Sequence, residues 1–185
     1  MLKPLSKNFR GLISISGPTK SGKSHLSEYL IKDQTTITYI ATSNPRLNDP
    51  EWRKRINDHK NRRPNNWKLV EHPSDICQTI DGAAPSESIL IDSLGGLVEQ
   101  RIMENDVMWE NFQSKFIHCL TNNCFVIIVV IEETGWSIVP STKIGYLFRE
   151  RLCKLSRLVC HHSKQKWLAV NGMAIDLEKV GYQIP

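Results

Sequence analysis

The sequence has no long apolar segment. Its longest uninterrupted apolar run is Cys124–Ile131, whereas a membrane-spanning helix needs about 20 apolar residues. The first ten residues contain no apolar stretch of the kind found in signal peptides. We therefore expect a cytoplasmic chain without a membrane span, in which residues 1–10 form a loose leader before the first strand.

The cysteines form neither a disulfide framework nor a zinc site. There are five, an odd number, without C-x-x-C spacing and without histidines at zinc-finger distances. This pattern predicts reduced, mostly packed thiols in a reducing compartment.

Composition and length predict one globular domain. The chain has 185 residues, 40% of them hydrophobic and 23% charged, and it shows no internal repeat or low-complexity linker. We therefore assign residues 1–185 to a single domain. The formal net charge of +5 suits a polyanionic partner, but nucleotides and nucleic acid satisfy it equally well.

A phosphate-binding motif is the strongest signal. The segment Gly17–Ser24 matches the Walker A pattern G-x-x-x-x-G-K-[ST], with an apolar strand before it and an amphipathic helix after it. Its glycines allow successive backbone N–H groups to turn toward one anion. Lys23 would reach the terminal phosphates as a catalytic residue, and the Ser24 hydroxyl would bind Mg²⁺. The predicted nucleotide-binding residues here are Gly17, Pro18, Thr19, Lys20, Ser21, Gly22, Lys23 and Ser24.

A second motif follows downstream. Ser88–Ser93 reads as an apolar strand that carries Asp92 near its end, the pattern of a Walker B element, whose carboxylate helps to hold the same Mg²⁺. Apolar strands that end in aspartate are common, so this motif gains its weight from the Walker A segment before it.

The remaining pattern predicts an α/β fold. Further strands are expected at Thr35–Ile40, Trp67–Glu71 and Trp167–Val170. The run Cys124–Ile131 has no polar alternation, which indicates a strand buried on both faces of a parallel sheet. A long cationic helix is expected from Thr142 to about Ser163.

Polar residues follow two of these strands. Ala41, Thr42 and Ser43 either line a ligand crevice or form a plain polar turn. Glu132 and Glu133 come directly after the buried strand; we interpret Glu132 as a solvated turn residue.

A basic segment contains a candidate nucleophile. Asp49 and Pro50 are expected to begin a helix over Glu51–Arg63, which ends before Pro64. His59 is its one side chain that could act as a neutral nucleophile near pH 7. By itself, a histidine in a basic helix is more often a solvated surface residue.

Together these segments resemble one family, the adenosylcobinamide kinase/adenosylcobinamide-phosphate guanylyltransferases of cobalamin biosynthesis. The resemblance runs from about Leu12 to Leu177, and its most specific part is R-I-x-x-H-x-x-x-R-P after A-T-S. The residues that carry it are Gly17–Ser24, Tyr39–Ser43, Arg55–Pro64, Trp67, Glu71, Ile89–Asp92, Glu133–Gly135, Ile138–Pro140 and Phe148–Arg149.

The resemblance implies two reactions. One phosphorylates adenosylcobinamide with ATP or GTP; the other transfers GMP from GTP to the resulting phosphate through a GMP-histidine at His59. Glu133 is a candidate base for the corrinoid hydroxyl. The implied nucleotide-binding set outside the P-loop is Ala41, Thr42, Ser43, Lys60, Asn61, Arg62, Arg63, Glu71 and Asp92, with Mg²⁺ held by Ser24 and Asp92.

The family resemblance also implies a three-layer P-loop NTPase fold with a RecA-like, mostly parallel sheet flanked by helices. It implies a homotrimer or another homo-oligomer. The sequence departs from the family pattern in the P-loop, where Pro18-Thr19 replaces the usual Gly-Ala. Gly95 and Gly96 stand where Thr or bulkier residues are frequent, and Glu132 and Ser137 stand where Asn and Gly are common.

Two other functions fit parts of the sequence. One is a P-loop small-molecule kinase without the covalent step. The other is a RecA-like nucleic-acid-binding ATPase, against which the sequence shows no aromatic and basic stacking groove. We therefore expect nucleotide and corrinoid partners and no nucleic acid.

Overall fold

The computed structural model describes residues 2–45, 48–51, 53–54, 57, 63–136, 139–182 and 184. The strands within these residues are β1 (Gly11–Gly17), β2 (Thr36–Ala41), β3 (Lys68–Glu71), β4 (Glu87–Asp92), β5 (Val126–Glu132), β6 (Gln165–Val170) and β7 (Met173–Asp176). The helices are α1 (Lys23–Ile31), α2 (Ile76–Asp81), α3 (Leu94–Gln100), α4 (Asp106–Thr121), α5 (Lys143–His162) and α6 (Leu177–Val180).

The strands form one sheet in the order β3-β2-β4-β5-β1-β6-β7. Every neighbouring pair is parallel except β6 and β7, which form an antiparallel hairpin. The carboxyl ends of β1 to β5 therefore lie at one edge of the sheet, which we call the carboxyl edge. In such sheets ligands bind outside this edge.

Two apolar cores cover the two faces of the sheet. One face packs against α1 through residues such as Ile13, Leu30, Leu90 and Ile128. The other face packs against the remaining large helices and contains Phe116 and Leu155 among others. The strand β5 contributes alternate residues to both cores, which confirms the prediction that it is buried on both faces.

The residues expected to form a loose leader pack against α1 instead. Leu5 is 6% exposed and belongs to the same core as Leu30. Its backbone N–H donates to the Leu30 carbonyl at 2.8 Å, and the Tyr29 hydroxyl donates to the Leu2 carbonyl at 3.1 Å. A buried leucine in this segment supplies apolar area that the sequence pattern alone did not reveal.

The helix after Walker B is shorter than its periodicity suggested. Helical spacing predicted Leu94 to Asn105, but α3 ends at Gln100. The buried Arg151 of α5 donates to the carbonyl oxygens of Arg101, Ile102 and Glu104. A long-range cation thus satisfies carbonyls that continued helix would have used.

The predicted basic helix is only partly described. Pro50, Glu51, Arg53, Lys54 and Asn57 are helical, and the Asp49 carboxylate accepts from the Glu51 N–H at 3.0 Å, as expected for an N-cap. His59, Lys60, Asn61 and Arg62 lie outside the described residues.

Within the described residues, no helix has both the length and the apolar character required to cross a bilayer. All five cysteines are free thiols, as the sequence predicted.

Candidate active site

The Walker A segment forms a loop between β1 and α1. Gly17 and Gly22 have φ angles of 152° and 102°, values that favour glycine over residues with a Cβ. Gly22 is the N-cap of α1, and no side chain caps the helix there. The backbone N–H groups of the first turn are thus available to an anion at the positive end of the helix.

The lysine of this loop is held close to it. The Lys23 side chain is largely buried, and its Nζ donates to the Pro18 carbonyl oxygen at 2.6 Å. The first turn of α1 also contains Ser24, which is half-buried.

The β6–β7 hairpin supports the loop from the side. A Cβ atom added to Gly17 would lie 2.1 Å from the Ala169 carbonyl oxygen. The Gly172 N–H, at the hairpin turn, donates to the Ser21 carbonyl at 3.3 Å. The first glycine of the motif is therefore required by close packing as well as by its φ angle.

Asp92 ends β4 on the face of the sheet that α1 covers. The Tyr39 hydroxyl donates to Asp92 Oδ2 at 2.6 Å. The guanidinium carbon of Arg63 lies 4.0 Å from the Tyr39 ring centroid, within the range of a cation–π contact. Burial, followed by the Asp92 charge, raises the pKa of Tyr39 well above its usual value, so that the phenol is a hydrogen-bond donor at neutral pH.

Thr42 connects the ends of β2 and β4. It is fully buried, its hydroxyl donates to the Ser93 carbonyl at 2.5 Å, and the same oxygen accepts from the Ser93 N–H at 2.8 Å. Its backbone carbonyl accepts from the Gln100 side chain at 2.8 Å. These contacts fix the backbone directly after Asp92.

Glu132 is buried, and its interpretation as a solvated turn residue is wrong. Its carboxylate accepts hydrogen bonds from the Ser93 hydroxyl and, at 2.9 Å, from the Gly95 N–H. Burial raises the pKa of this carboxyl, and these two donors oppose that shift. The carboxylate thus joins the end of β5 to the start of α3.

Glu133 is the next residue and lies closer to the P-loop. Its backbone N–H donates to the Gly17 carbonyl at 3.0 Å, and its side chain is half-buried. Burial raises the pKa of its carboxyl, whereas the charge of Lys23 lowers it. A carboxyl of this kind is suited to accept a proton near neutral pH.

Comparison with known proteins identifies the family. A family model described as cobinamide kinase / cobinamide phosphate guanyltransferase matches residues 13–177. The chain belongs to this family. Membership confirms the resemblance inferred from the sequence and the enzyme class that it implied.

Two relatives extend the match to almost their full lengths. The bifunctional adenosylcobalamin biosynthesis protein CobU of Salmonella typhimurium strain LT2 is 27% identical, covering 90% of this chain and 99% of the relative. The protein of the same name from Escherichia coli strain K12 is 25% identical, with the same coverage of both chains.

Structural comparison agrees on the fold. The P4 protein from bacteriophage phi6, solved in complex with ADP, superposes with a TM-score of 0.50 at 12% sequence identity, over 94% of this chain and 59% of the phage protein. The predicted α/β P-loop NTPase fold with a mostly parallel sheet is thereby confirmed.

The predicted site residues of this family member fall into three groups. The P-loop, Asp92 and Arg63 are connected to the carboxyl edge by the contacts described above. Ala41, Ser43 and Glu71 also lie at the carboxyl edge, where Ala41 pairs with Glu71 across β2 and β3. His59, Lys60, Asn61 and Arg62 belong to the part of the chain that is not described.

Sequence reasoning missed three residues near the site. Tyr39 and Glu132 hold the loop after β4 through hydrogen bonds across strands. His72, after β3, donates its backbone N–H to the Ala41 carbonyl at 2.7 Å, and its ring pairs with the Asn44 side chain. Tyr39 stands within the Tyr39–Ser43 match to the family, a signal that could have drawn attention to it.

The departures from the family pattern are packed against one another. A Cβ on Gly95 would lie 2.9 Å from the Glu132 carboxylate oxygens, and a Cβ on Gly96 would lie 2.3 Å from the Thr42 hydroxyl oxygen. The longer acidic side chain at position 132 therefore occupies the space that a larger residue at position 95 would need.

Proposed function

We propose that the chain phosphorylates the hydroxyl of adenosylcobinamide with ATP or GTP and then transfers GMP from GTP to adenosylcobinamide phosphate through a GMP-His59 intermediate. The observation that carries this proposal is the contact of Arg63 with Tyr39, whose hydroxyl binds Asp92. It supports a shared site, because the basic segment that contains His59 returns to the sheet beside the Walker B carboxylate.

In the kinase reaction, the P-loop N–H groups and Lys23 bind the nucleotide phosphates. The corrinoid hydroxyl oxygen attacks the γ-phosphorus, a new O–P bond forms, and the bond to the nucleoside diphosphate breaks. Glu133 takes the hydroxyl proton; its proximity to the P-loop and its raised pKa support this role.

In the guanylyltransferase reaction, a neutral imidazole nitrogen of His59 attacks the α-phosphorus of GTP. An N–P bond forms, and pyrophosphate leaves. A phosphate oxygen of adenosylcobinamide phosphate then attacks the same phosphorus, the N–P bond breaks, and adenosylcobinamide-GDP is released. Splitting one transfer into two steps is the usual advantage of a covalent intermediate. Lys60, Asn61, Arg62 and Arg63 would bind the nucleotide and offset its charge.

Magnesium fits the oxygen donors at this site. Mg²⁺ is commonly bound by one or two protein oxygen ligands together with substrate phosphates, and not by an all-protein cage. Ser24 and Asp92 supply a hydroxyl and a carboxylate, and no cluster of three or more His, Cys, Asp or Glu side chains suited to a metal occurs among the described residues. Bound there, the ion would neutralise charge on the phosphates.

We also propose a homotrimer or another homo-oligomer, following the family resemblance, and a cytoplasmic location. The five free thiols support a reducing compartment. Light scattering after size-exclusion chromatography measures the assembly, and a monomeric mass at micromolar concentration would contradict it.

The covalent step is tested with GTP labelled at the α-phosphorus. We expect wild-type protein to retain label that is labile in acid and stable in base, as a phosphoramidate is, and the label to move to adenosylcobinamide phosphate when this acceptor is added. His59→Ala should retain none. The matched control is His72→Ala, which removes a different histidine at the carboxyl edge and should label normally.

Two outcomes separate the alternatives. Phosphorylation of adenosylcobinamide without any protein-bound label would indicate a small-molecule kinase without the covalent step. Label that persists in His59→Ala would refute the assignment of the nucleophile. For the kinase step, Glu133→Gln should slow phosphorylation while leaving GMP labelling intact.

A further inference from the structure

Tyr39 contacts two parts of the site at once. Its side chain is 3% exposed. Its hydroxyl donates to Asp92 Oδ2 at 2.6 Å, and the face of its ring carries the Arg63 guanidinium at 4.0 Å. Tyr39 thus connects the Walker B carboxylate with the end of the basic segment.

Strand register explains the first contact. In the parallel pair β2–β4, Tyr39 is opposite Leu90 and Ala41 is opposite Asp92. Tyr39 and Leu90 share one apolar core, so their side chains lie on the face that α1 covers. Asp92, two residues after Leu90, projects to the same face. The phenol therefore reaches diagonally along the sheet to the carboxylate.

The second contact lies at the return of the chain to the sheet. Arg63 precedes Pro64, which removes a backbone donor and fixes φ at the end of the basic segment. Its guanidinium is half-buried on the phenol ring, where a cation–π contact is stronger than in open water. Arg63 is four residues from His59 in the sequence.

We propose that Tyr39 is a positioning residue for both binding functions of the site: its hydroxyl orients the Asp92 carboxylate toward Mg²⁺, and its ring holds Arg63 in position for the nucleotide. This inference rests on the proposed function, in which Asp92 and Arg63 bind metal and nucleotide. It assigns the two effects to different atoms of one side chain, and substitutions can therefore separate them.

The test measures binding of the α,β-methylene analogue of GTP by calorimetry, because this analogue cannot transfer GMP. Tyr39→Phe removes the hydroxyl and keeps the ring. It should raise the Mg²⁺ concentration for half-maximal analogue binding about threefold to tenfold, while the dissociation constant at saturating Mg²⁺ stays within about twofold of wild type. Tyr39→Leu removes the ring too, and should also weaken binding at saturating Mg²⁺ at least about fivefold.

Two controls distinguish positioning from a structural role. Tyr29→Phe removes another tyrosine hydroxyl, one that donates to the Leu2 carbonyl, and should leave both binding parameters unchanged. Arg63→Gln should weaken binding at saturating Mg²⁺. In the Arg63→Gln background, the additional effect of Tyr39→Leu on binding at saturating Mg²⁺ should vanish, because the ring acts through this guanidinium.

Clear results would overturn the proposal. An unchanged Mg²⁺ midpoint in Tyr39→Phe refutes the role of the hydroxyl. A Tyr39→Leu effect that persists in full without Arg63 refutes the role of the ring, and lower thermal stability with unchanged binding refutes both. Failure of the proposed function is distinguishable, because it would appear as absent His59 labelling in wild-type protein while analogue binding remains measurable.

Discussion

Gly95 and Glu132 occupy one space: a Cβ atom on Gly95 would lie 2.9 Å from either carboxylate oxygen of Glu132. We predict that Gly95→Ala destabilises the protein by about 1 to 3 kcal/mol through overpacking, more than the gain of up to about 1 kcal/mol from alanine in a helix. In a Glu132→Asn background, where the side chain is shorter, the same substitution should be nearly neutral. Chemical denaturation of the four proteins in this double-mutant cycle measures the coupling.

Gly96 supplies the matched control. A Cβ there would lie 2.6 Å from the carbonyl carbon and 2.7 Å from the carbonyl oxygen of Thr42, and backbone atoms cannot rotate away. Gly96→Ala should therefore be destabilising in both backgrounds. An equal cost of Gly95→Ala with and without Glu132 would contradict the assignment of the shared space.

The first glycine of the P-loop should be far less tolerant than the second. Gly17→Ala combines an unfavourable φ of 152° with a Cβ 2.1 Å from the Ala169 carbonyl oxygen. Backbone strain and overpacking, each about 1 to 3 kcal/mol, predict a total loss of about 2 to 6 kcal/mol. Gly22→Ala also has a positive φ, of 102°, but meets no atom within 4 Å, and should cost only the strain. Urea denaturation tests this order, which equal losses would contradict.

Lys23→Met should separate binding from folding. The side chain is largely buried, and methionine fills a similar volume without the charge. Because a hydrogen bond to a charged group contributes about 1.5 to 3 kcal/mol, we expect GTP affinity to fall at least about tenfold with little change in melting temperature. Calorimetric titration measures the affinity, and Lys32→Met, beyond the end of α1, is the control that should bind normally. Unchanged affinity in Lys23→Met would contradict the role of Lys23.

Acid should weaken the start of α2. The Lys115 ammonium, which donates to Asp75 at 3.0 Å, and then the Gln78 N–H lower the pKa of the Asp75 carboxyl from 3.8. Because this pKa is lower in the folded state, the contribution of Asp75 to stability is present above the unfolded value and is lost as pH falls through the folded one.

Two substitutions test this pH dependence. Asp75→Ala should cost about 1 kcal/mol at neutral pH through loss of the N-cap. Asp75→Asn keeps a capping oxygen, and any difference in stability between it and wild type should vanish below the folded pKa. Urea denaturation from pH 2 to pH 7 measures this, and a difference that grows in acid would contradict the argument.

Local sequence determined the elements and the chemical motifs. The Walker A spacing, the apolar β5 and the capped helix starts depend on neighbouring residues, and they were predicted within a few positions. The motif from Arg55 to Pro64 indicated the family, although its histidine lies outside the described residues. These features could be predicted because glycine conformation, hydrophobic periodicity and capping are local properties.

Only the tertiary structure decided which side chains meet across strands. Glu132 could not be distinguished from a solvated turn residue by sequence, because its partners Ser93 and Gly95 are almost forty positions away and reach it through the β4–β5 pairing. The same holds for Tyr39, whose hydroxyl meets Asp92 through the β2–β4 register, and for Leu5, which is buried against α1. Contacts of this kind depend on strand order and register, which are set by the packing of the whole chain and not by any one segment of it.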